Sequence, residues 1–178
     1  HRMEPLYIIT LSTLGLVVGS FLNVCIHRLP EDQSIVKPGS RCPACGRTLR
    51  WLETIPVLGF VFLSGHCRTC RARISPVYPL IELVTPLVFV LQYAYVGWVP
   101  LLAIRLIFSS AVLVLLVIDL RHRILPNLIT LPGIGIGLTA SLVLEPGWRS
   151  ALAGVAIGGG GLFLIRHAYY RLRHQEGL

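Results

Sequence analysis

Long apolar runs separated by short polar breaks dominate the 178-residue chain. Five runs approach the roughly 20 residues that a helix needs to cross a bilayer. They cover residues 6–26, 78–97, 99–119, 125–144 and 150–167. They predict an all-α polytopic membrane protein with five transmembrane helices. The break between the first two runs is the long one, a polar loop over 28–76. Inside it, "IPVLGFVFL" (55–63) is apolar but too short to span, and either packs within a small domain or lies at the membrane interface. The chain therefore divides into a first helix (1–27), an inserted domain (28–76) and a membrane domain (77–178). No small-residue cleavage site follows the first run, so it is expected to be retained and not removed as a signal peptide. His1 and Arg2, ahead of Met3, read as an arbitrary cut.

Composition agrees with the pattern. The chain is 54% hydrophobic and 13% charged, with mean hydropathy +0.72, whereas soluble domains carry about 25% charged residues. A net charge of +8 raises the question of nucleic acid, but the charges alternate with the spans. Arg28, Lys37, Arg41, Arg47, Arg50, Arg68, Arg71 and Arg73 lie in the 28–76 loop. Arg121 and Arg123 follow the third run, and Arg166, Arg171 and Arg173 close the chain. Arg2 and Arg149 fall on the other side, and Arg105 within a run. By the positive-inside rule the N-terminus is outside and the 28–76 loop is cytoplasmic. The partner expected on this ground is membrane lipid, with no nucleic acid.

The loop carries "CPACG" (42–46) and "CRTC" (67–70), two C-x-x-C pairs with 21 residues between them. Each pair puts two thiolates on one tight turn, and two such turns close a tetrahedral four-sulfur site at Cys42, Cys45, Cys67 and Cys70. A cytosolic loop disfavours disulfides. Zinc is the expected metal, although four thiolates also suit iron. With four protein ligands no coordination position stays open, so the ion is structural. Cys25, in the first run, reads as a small buried apolar residue.

Of the eight acids, Glu4, Glu31, Asp32, Glu53, Glu82, Asp119, Glu145 and Glu176, only Glu82 and Asp119 fall within or at the edge of a span. An ionisable group there is a functional candidate. Two carboxylates at one site share a proton, one serving as general base on a water and the other as general acid. That is aspartyl hydrolysis, and it would suit a peptide bond at the membrane surface. The alternatives are a topological charge at Asp119, paired with Arg121 or Arg123, and a Glu82 that serves a loop arginine or the cysteine domain.

"GSFLNVCIHRLP" (19–30), the two C-x-x-C pairs, "SPVYPLIEL" (75–83) and "IDLRHRILPNLITLP" (118–132) occur in that order. Together they resemble the bacterial type IV prepilin peptidase family, from about residue 14 to the end of the chain. The resemblance implies an inner-membrane aspartyl peptidase. Such an enzyme cuts the basic leader from prepilins and pseudopilins of type II secretion or DNA uptake, after a Gly, on the cytoplasmic side. Many members also methylate the new N-terminus with S-adenosylmethionine. The family's first catalytic Asp corresponds to Asp119, and its zinc cysteines to Cys42, Cys45, Cys67 and Cys70.

The second family aspartate lies in a G-x-G-D motif, and residues 1–178 contain none. By resemblance it is expected a few residues beyond Leu178, ahead of about three further spans. Residues 1–178 are then half of the dyad, and Asp119 with Glu82 or Asp32 is not expected to make a working peptidase. "GLVVGS" (15–20) reads as helix packing ahead of a cofactor loop. "GIGIG" (133–137) and "GVAIGGGG" (154–161) lie in apolar runs with no phosphate-loop residues behind them, and suggest close helix packing or a groove for an apolar substrate helix. No strand–G-x-G-x-x-G–helix unit marks a nucleotide fold; by resemblance, "GSFLNV" and the cysteine domain are the candidate region for methylation. Asn23 faces a substrate or a neighbouring helix, and Arg28 a lipid phosphate, a carboxylate or nothing specific. Glu31, Asp32 and Glu53 could meet a basic leader, or be plain loop charges. The competing functions are a zinc-domain membrane scaffold, a protein with methyltransferase activity alone, and a four-Cys iron electron carrier.

Overall fold

The computed structural model describes residues 4–37, 39–144 and 147–173. His1, Arg2, Glu145 and Glu176 lie outside them. Among the described residues the regular structure is helical, with isolated bridges and no strand: α1 (Pro5–Arg28), α2 (Leu58–Phe62), α3 (Val77–Val96), α4 (Pro100–His122), α5 (Asn127–Ala140) and α6 (Trp148–Arg173). Four stretches are long and apolar enough to cross a membrane: Pro5–Glu31, Val77–Val96, Pro100–His122 and Trp148–Ile165.

The fifth run, 125–144, forms a shorter apolar helix than expected. α5 holds 14 residues, about 21 Å at 1.5 Å per residue, against a hydrocarbon core of about 30 Å. Pro132 lies inside it, and Gly133, Gly135 and Gly137 lower its helical propensity. Beyond Ala140 the backbone tightens into turns, Leu142 N–H donating to Thr139 O and Val143 N–H to Ala140 O.

The chain divides into two compact units, 1–129 and 130–178. In the first, α1, α3 and α4 pack together. Pro5 and Pro100 open α1 and α4 at positions where a missing N–H costs nothing. Gly97 ends α3 with φ +74°. Near the inserted domain, Leu22, Cys25 and Ile26 of α1 meet Ile81 of α3 and Val114 and Ile118 of α4. Toward the other end Leu11, Phe89, Tyr93 and Leu102 form a second cluster, and Tyr7 stacks on Trp98 at 4.7 Å between centroids.

The α1–α3 contact is close because two glycines face it. A methyl group at Gly15 would overlap Pro86 Cα, and one at Gly19 would lie 2.9 Å from Glu82 Cα. "GLVVGS" is therefore a packing seam of the small-xxx-small kind. Among the described residues, Gly133, Gly135, Gly137, Gly154 and Gly158–Gly161 have no neighbour within 4 Å of the Cβ position, which is open space and not the close packing of Gly15 and Gly19.

In the 28–76 domain the apolar 55–63 stretch contributes only the five-residue α2. Leu58, Val61 and Phe62 are exposed, as are Trp51 and Leu52, which fits the interfacial alternative. The Arg28 guanidinium donates to the carbonyls of Ser34 (2.9 Å) and Gly39 (3.2 Å), tying the start of the loop to the end of α1.

Candidate functional site: a four-cysteine centre and two membrane-edge carboxylates

The two C-x-x-C turns repeat one backbone pattern. Cys42 N–H donates to Arg47 O (2.9 Å) and Gly46 N–H to Cys42 O (2.9 Å). Cys67 N–H likewise donates to Ala72 O (2.8 Å) and Arg71 N–H to Cys67 O (3.0 Å). Bridges Arg41–Thr48 and His66–Arg73 close the two turns. The fourth residue after each leading cysteine is left-handed, Gly46 at φ +70° and Arg71 at φ +58°.

The turns bring Cys42, Cys45, Cys67 and Cys70 together, with ligand atoms within 4.8 Å of one another. Cys42 Sγ and Cys70 Sγ are 3.8 Å apart. Sulfurs at about 2.3 Å from a tetrahedral ion sit roughly 3.8 Å apart, while a disulfide needs about 2.05 Å. The cluster could thus hold a metal ion, and its five-cysteine chain has no bridge: all are free thiols. The backbone N–H groups of Cys70 and then Thr69 hold the Cys67 thiol down to about 6, which favours the thiolate that metals bind.

Beside the centre, Arg47 Nη2 donates to both Glu53 oxygens at 3.0 Å, and Arg50 N–H donates to Glu53 Oε2 at 2.8 Å. The Glu53 side chain is 6% exposed. The Arg47 and then the Arg50 bonds hold its carboxyl below the usual range. Of the three acids suggested for a basic leader, Glu53 is thus already engaged. Glu31 accepts from Gln33 Nε2 at 2.6 Å, and Glu31 and Asp32 are exposed.

Asp119 lies in the last turn of α4, at the end of the bundle where the chain meets the cysteine domain. Its backbone carbonyl accepts from Arg123 N–H at 2.8 Å, and its side chain is exposed. Among the described residues the carboxylate has no hydrogen bond or ion pair, so neither Arg121 nor Arg123 pairs with it. Glu82, one residue beyond Ile81 of the same cluster, faces elsewhere. Its Oε2 accepts from Val57 N–H at 2.7 Å, and the Ser20 and Asn23 side chains lie beside the same carboxylate. Asn23 also donates to Tyr78 O at 3.0 Å, so it serves a neighbouring helix. Glu82 is 8% exposed and Asn23 4%. No bond joins Glu82 or Asp32 to Asp119 among the described residues. The Glu82–Val57 and Arg47–Glu53 contacts escape sequence reading. The first joins residues 25 apart, and the second has no helical or strand period to reveal it.

Comparison with known proteins places this geometry. The description "Bacterial Peptidase A24 N-terminal domain" matches residues 13–96, which hold the four cysteines and Glu82. "Type IV leader peptidase family" matches residues 106–178, which hold Asp119. A prepilin leader peptidase/N-methyltransferase of Pseudomonas putida is 34% identical over 202 residues, covering 99% of this chain and 69% of the relative. This chain belongs to the prepilin leader peptidase/N-methyltransferase family. Other prepilin leader peptidase/N-methyltransferases resemble it more closely in sequence. That of Myxococcus xanthus is 43% identical over 98% of this chain. That of Klebsiella pneumoniae is 45% identical over 72% of it. The chain spans 52% and 59% of those two relatives. No solved structure matches. The family, the apolar helices and the four-cysteine cluster together make this a membrane protein of a peptidase family with a cluster after its first helix that could hold a metal ion.

Proposed function

We propose that this chain provides the cysteine domain and the first catalytic aspartate of a membrane aspartyl peptidase. Its substrates are type IV prepilins and pseudopilins, and it removes their basic leader after a Gly at the cytoplasmic face of the bacterial inner membrane. The observation that carries the reading is Asp119: an exposed carboxylate, without a protein partner among the described residues, at the cysteine-domain end of the bundle. A general base must reach a water and the scissile carbonyl, and a carboxylate engaged like Glu82 does not.

Asp119 orients and deprotonates the water, while a second carboxyl group donates to the departing amine. Two close carboxylates keep one proton between them, so both roles are filled at one pH. Glu82 bonds to Val57 and is not that partner. Residues 1–178 contain no G-x-G-D and supply one member of the dyad. The N-terminus lies outside and the cysteine domain inside, a reading that the charge distribution supports.

Zinc fits Cys42, Cys45, Cys67 and Cys70 by donor type and spacing. Bound there, the ion would hold the two turns together through the four thiolates. The new N-terminus is also N-methylated, with S-adenosylmethionine as donor. Among the described residues no strand–glycine loop–helix unit exists for that donor, and no residue is assigned to it. Purified residues 1–178, incubated with a prepilin, are expected to leave the leader attached. Cleavage that disappears on Asp119→Asn would overturn the assignment of a missing second carboxylate.

A further inference from the structure

Two neighbouring turns of the inserted domain direct apolar side chains outward. Trp51 and Leu52 open a short 3-10 turn, Trp51–Thr54. Leu58, Val61 and Phe62 of α2 recur at the i, i+3, i+4 spacing that puts them on one helix face. Trp51 is 74% exposed and Phe62 77%. The other side of α2 is taken up within the domain. Gly59 lies so close to Glu53 that a Cβ would overlap its carbonyl, and the Phe60 ring lies against Gly65.

Two helices set the depth of this segment. Trp51, Ile55 and Pro56 face Val17, Phe21 and Val24 of α1 across a groove of about 400 Å³. Val57 N–H donates to Glu82 of α3. Phe21 lies seven residues inside the Arg28 end of α1, and Glu82 five residues inside the Val77 end of α3. At 1.5 Å per residue these are about 10 Å and about 8 Å. Both helices belong to stretches long and apolar enough to cross a membrane. An interfacial amphipathic segment sinks about 5–10 Å into the boundary between headgroups and acyl chains, and the 51–57 segment lies at that level. Val17 and Phe21 are exposed on the spanning helix, so the medium that meets this wall is lipid.

Charge favours the same occupant. The 28–76 loop holds eight Lys and Arg residues against Glu31, Asp32 and Glu53, and Arg50, next to Trp51, is exposed. Trp belongs at the headgroup level of a bilayer. Anionic lipid attracts a basic domain at the surface, whereas a second copy of the chain would bring a like charge to it.

We propose that residues 51–62 dock the inserted domain into the bilayer that α1 and α3 cross, with Trp51, Leu52, Leu58, Val61 and Phe62 among the upper acyl carbons and Arg50 at the lipid phosphates. Lipid then holds the domain at a fixed height, together with the Glu82–Val57 bond. The inference stands on the membrane helices and needs no substrate.

The test uses the zinc-loaded chain in nanodiscs of phosphatidylcholine and phosphatidylglycerol. Trp98→Phe with Trp148→Phe leaves Trp51 as the one indole. Lipid brominated near the headgroup end of its acyl chain should quench Trp51 emission by about half or more, and lipid brominated near the chain's methyl end should quench it less. Acrylamide in the water should quench it several-fold less than it quenches free tryptophan. Acrylamide quenching at the free-tryptophan level, with no effect of brominated lipid, overturns the inference. Protection from both quenchers also overturns it, and means that a second copy or another protein covers the patch. The unmodified chain supplies a measurement that no substitution can spoil. Phosphatidylcholine with a diazirine on the upper acyl chain should leave adducts within 51–62 as well as on the spanning helices. Adducts confined to the helices overturn the inference.

Discussion

Gly46 and Arg71 occupy one backbone position in two turns of the same hydrogen-bonding pattern, yet only one is glycine. A non-glycine residue in the left-handed region costs of order 1 kcal/mol, and glycine none. Arg71→Gly is therefore expected to stabilise the metal-loaded domain by about 1 kcal/mol, and Gly46→Ala to destabilise it by a similar amount. Zinc release against a chelator during thermal unfolding reads both. A lowered midpoint for Arg71→Gly would show that its side chain contributes more than its backbone conformation costs. The cysteines were legible at this scale because two C-x-x-C pairs have few other uses. The Arg47–Glu53 clamp was not, since nothing in a six-residue interval outside regular structure says that the two side chains meet. Glu82 stood out as an acid in an apolar run, but its partner is a backbone N–H, and a backbone group leaves no trace in sequence.

Helices α1, α3 and α4 follow from apolar runs bounded by proline or glycine, and their ends agree with the sequence to within a few residues. α5 does not, because hydropathy averages over a window and is insensitive to the proline and glycines that shorten the helix. The seam between α1 and α3 depends on side-chain size and not on hydropathy. Gly15→Ala should cost roughly 1–3 kcal/mol by forcing the helix away from Pro86. Gly133→Ala, with open space around its Cβ position, should be neutral or gain up to about 1 kcal/mol. Thermal unfolding in detergent compares the two. Equal effects would mean that the seam is not a close contact in the membrane protein.

For the molecule as a whole, hydrogen bonds of Arg28 and Glu82 tie the inserted domain to the bundle, and Ile35 packs against the bundle core. Arg28 holds its first loop, and Glu82 holds Val57, which has φ +63°. A β-branched residue rarely adopts that conformation, so the Glu82 contact fixes a segment that would otherwise relax. Asp119 emerges from the same end of the bundle. The four-cysteine domain and the exposed Asp119 carboxylate thus lie toward the same end of the bundle. Asp119 is proposed to perform the cleavage. Its most direct test is a chimera that continues this chain with the remaining part of the Myxococcus xanthus relative, assayed for leader removal from a prepilin in nanodiscs. The account predicts that the chimera cleaves, and that Asp119→Asn lowers the rate by at least about 10²–10⁴-fold with zinc content and prepilin binding unchanged. An Asp119→Asn chimera that cleaves at the parent rate would contradict it.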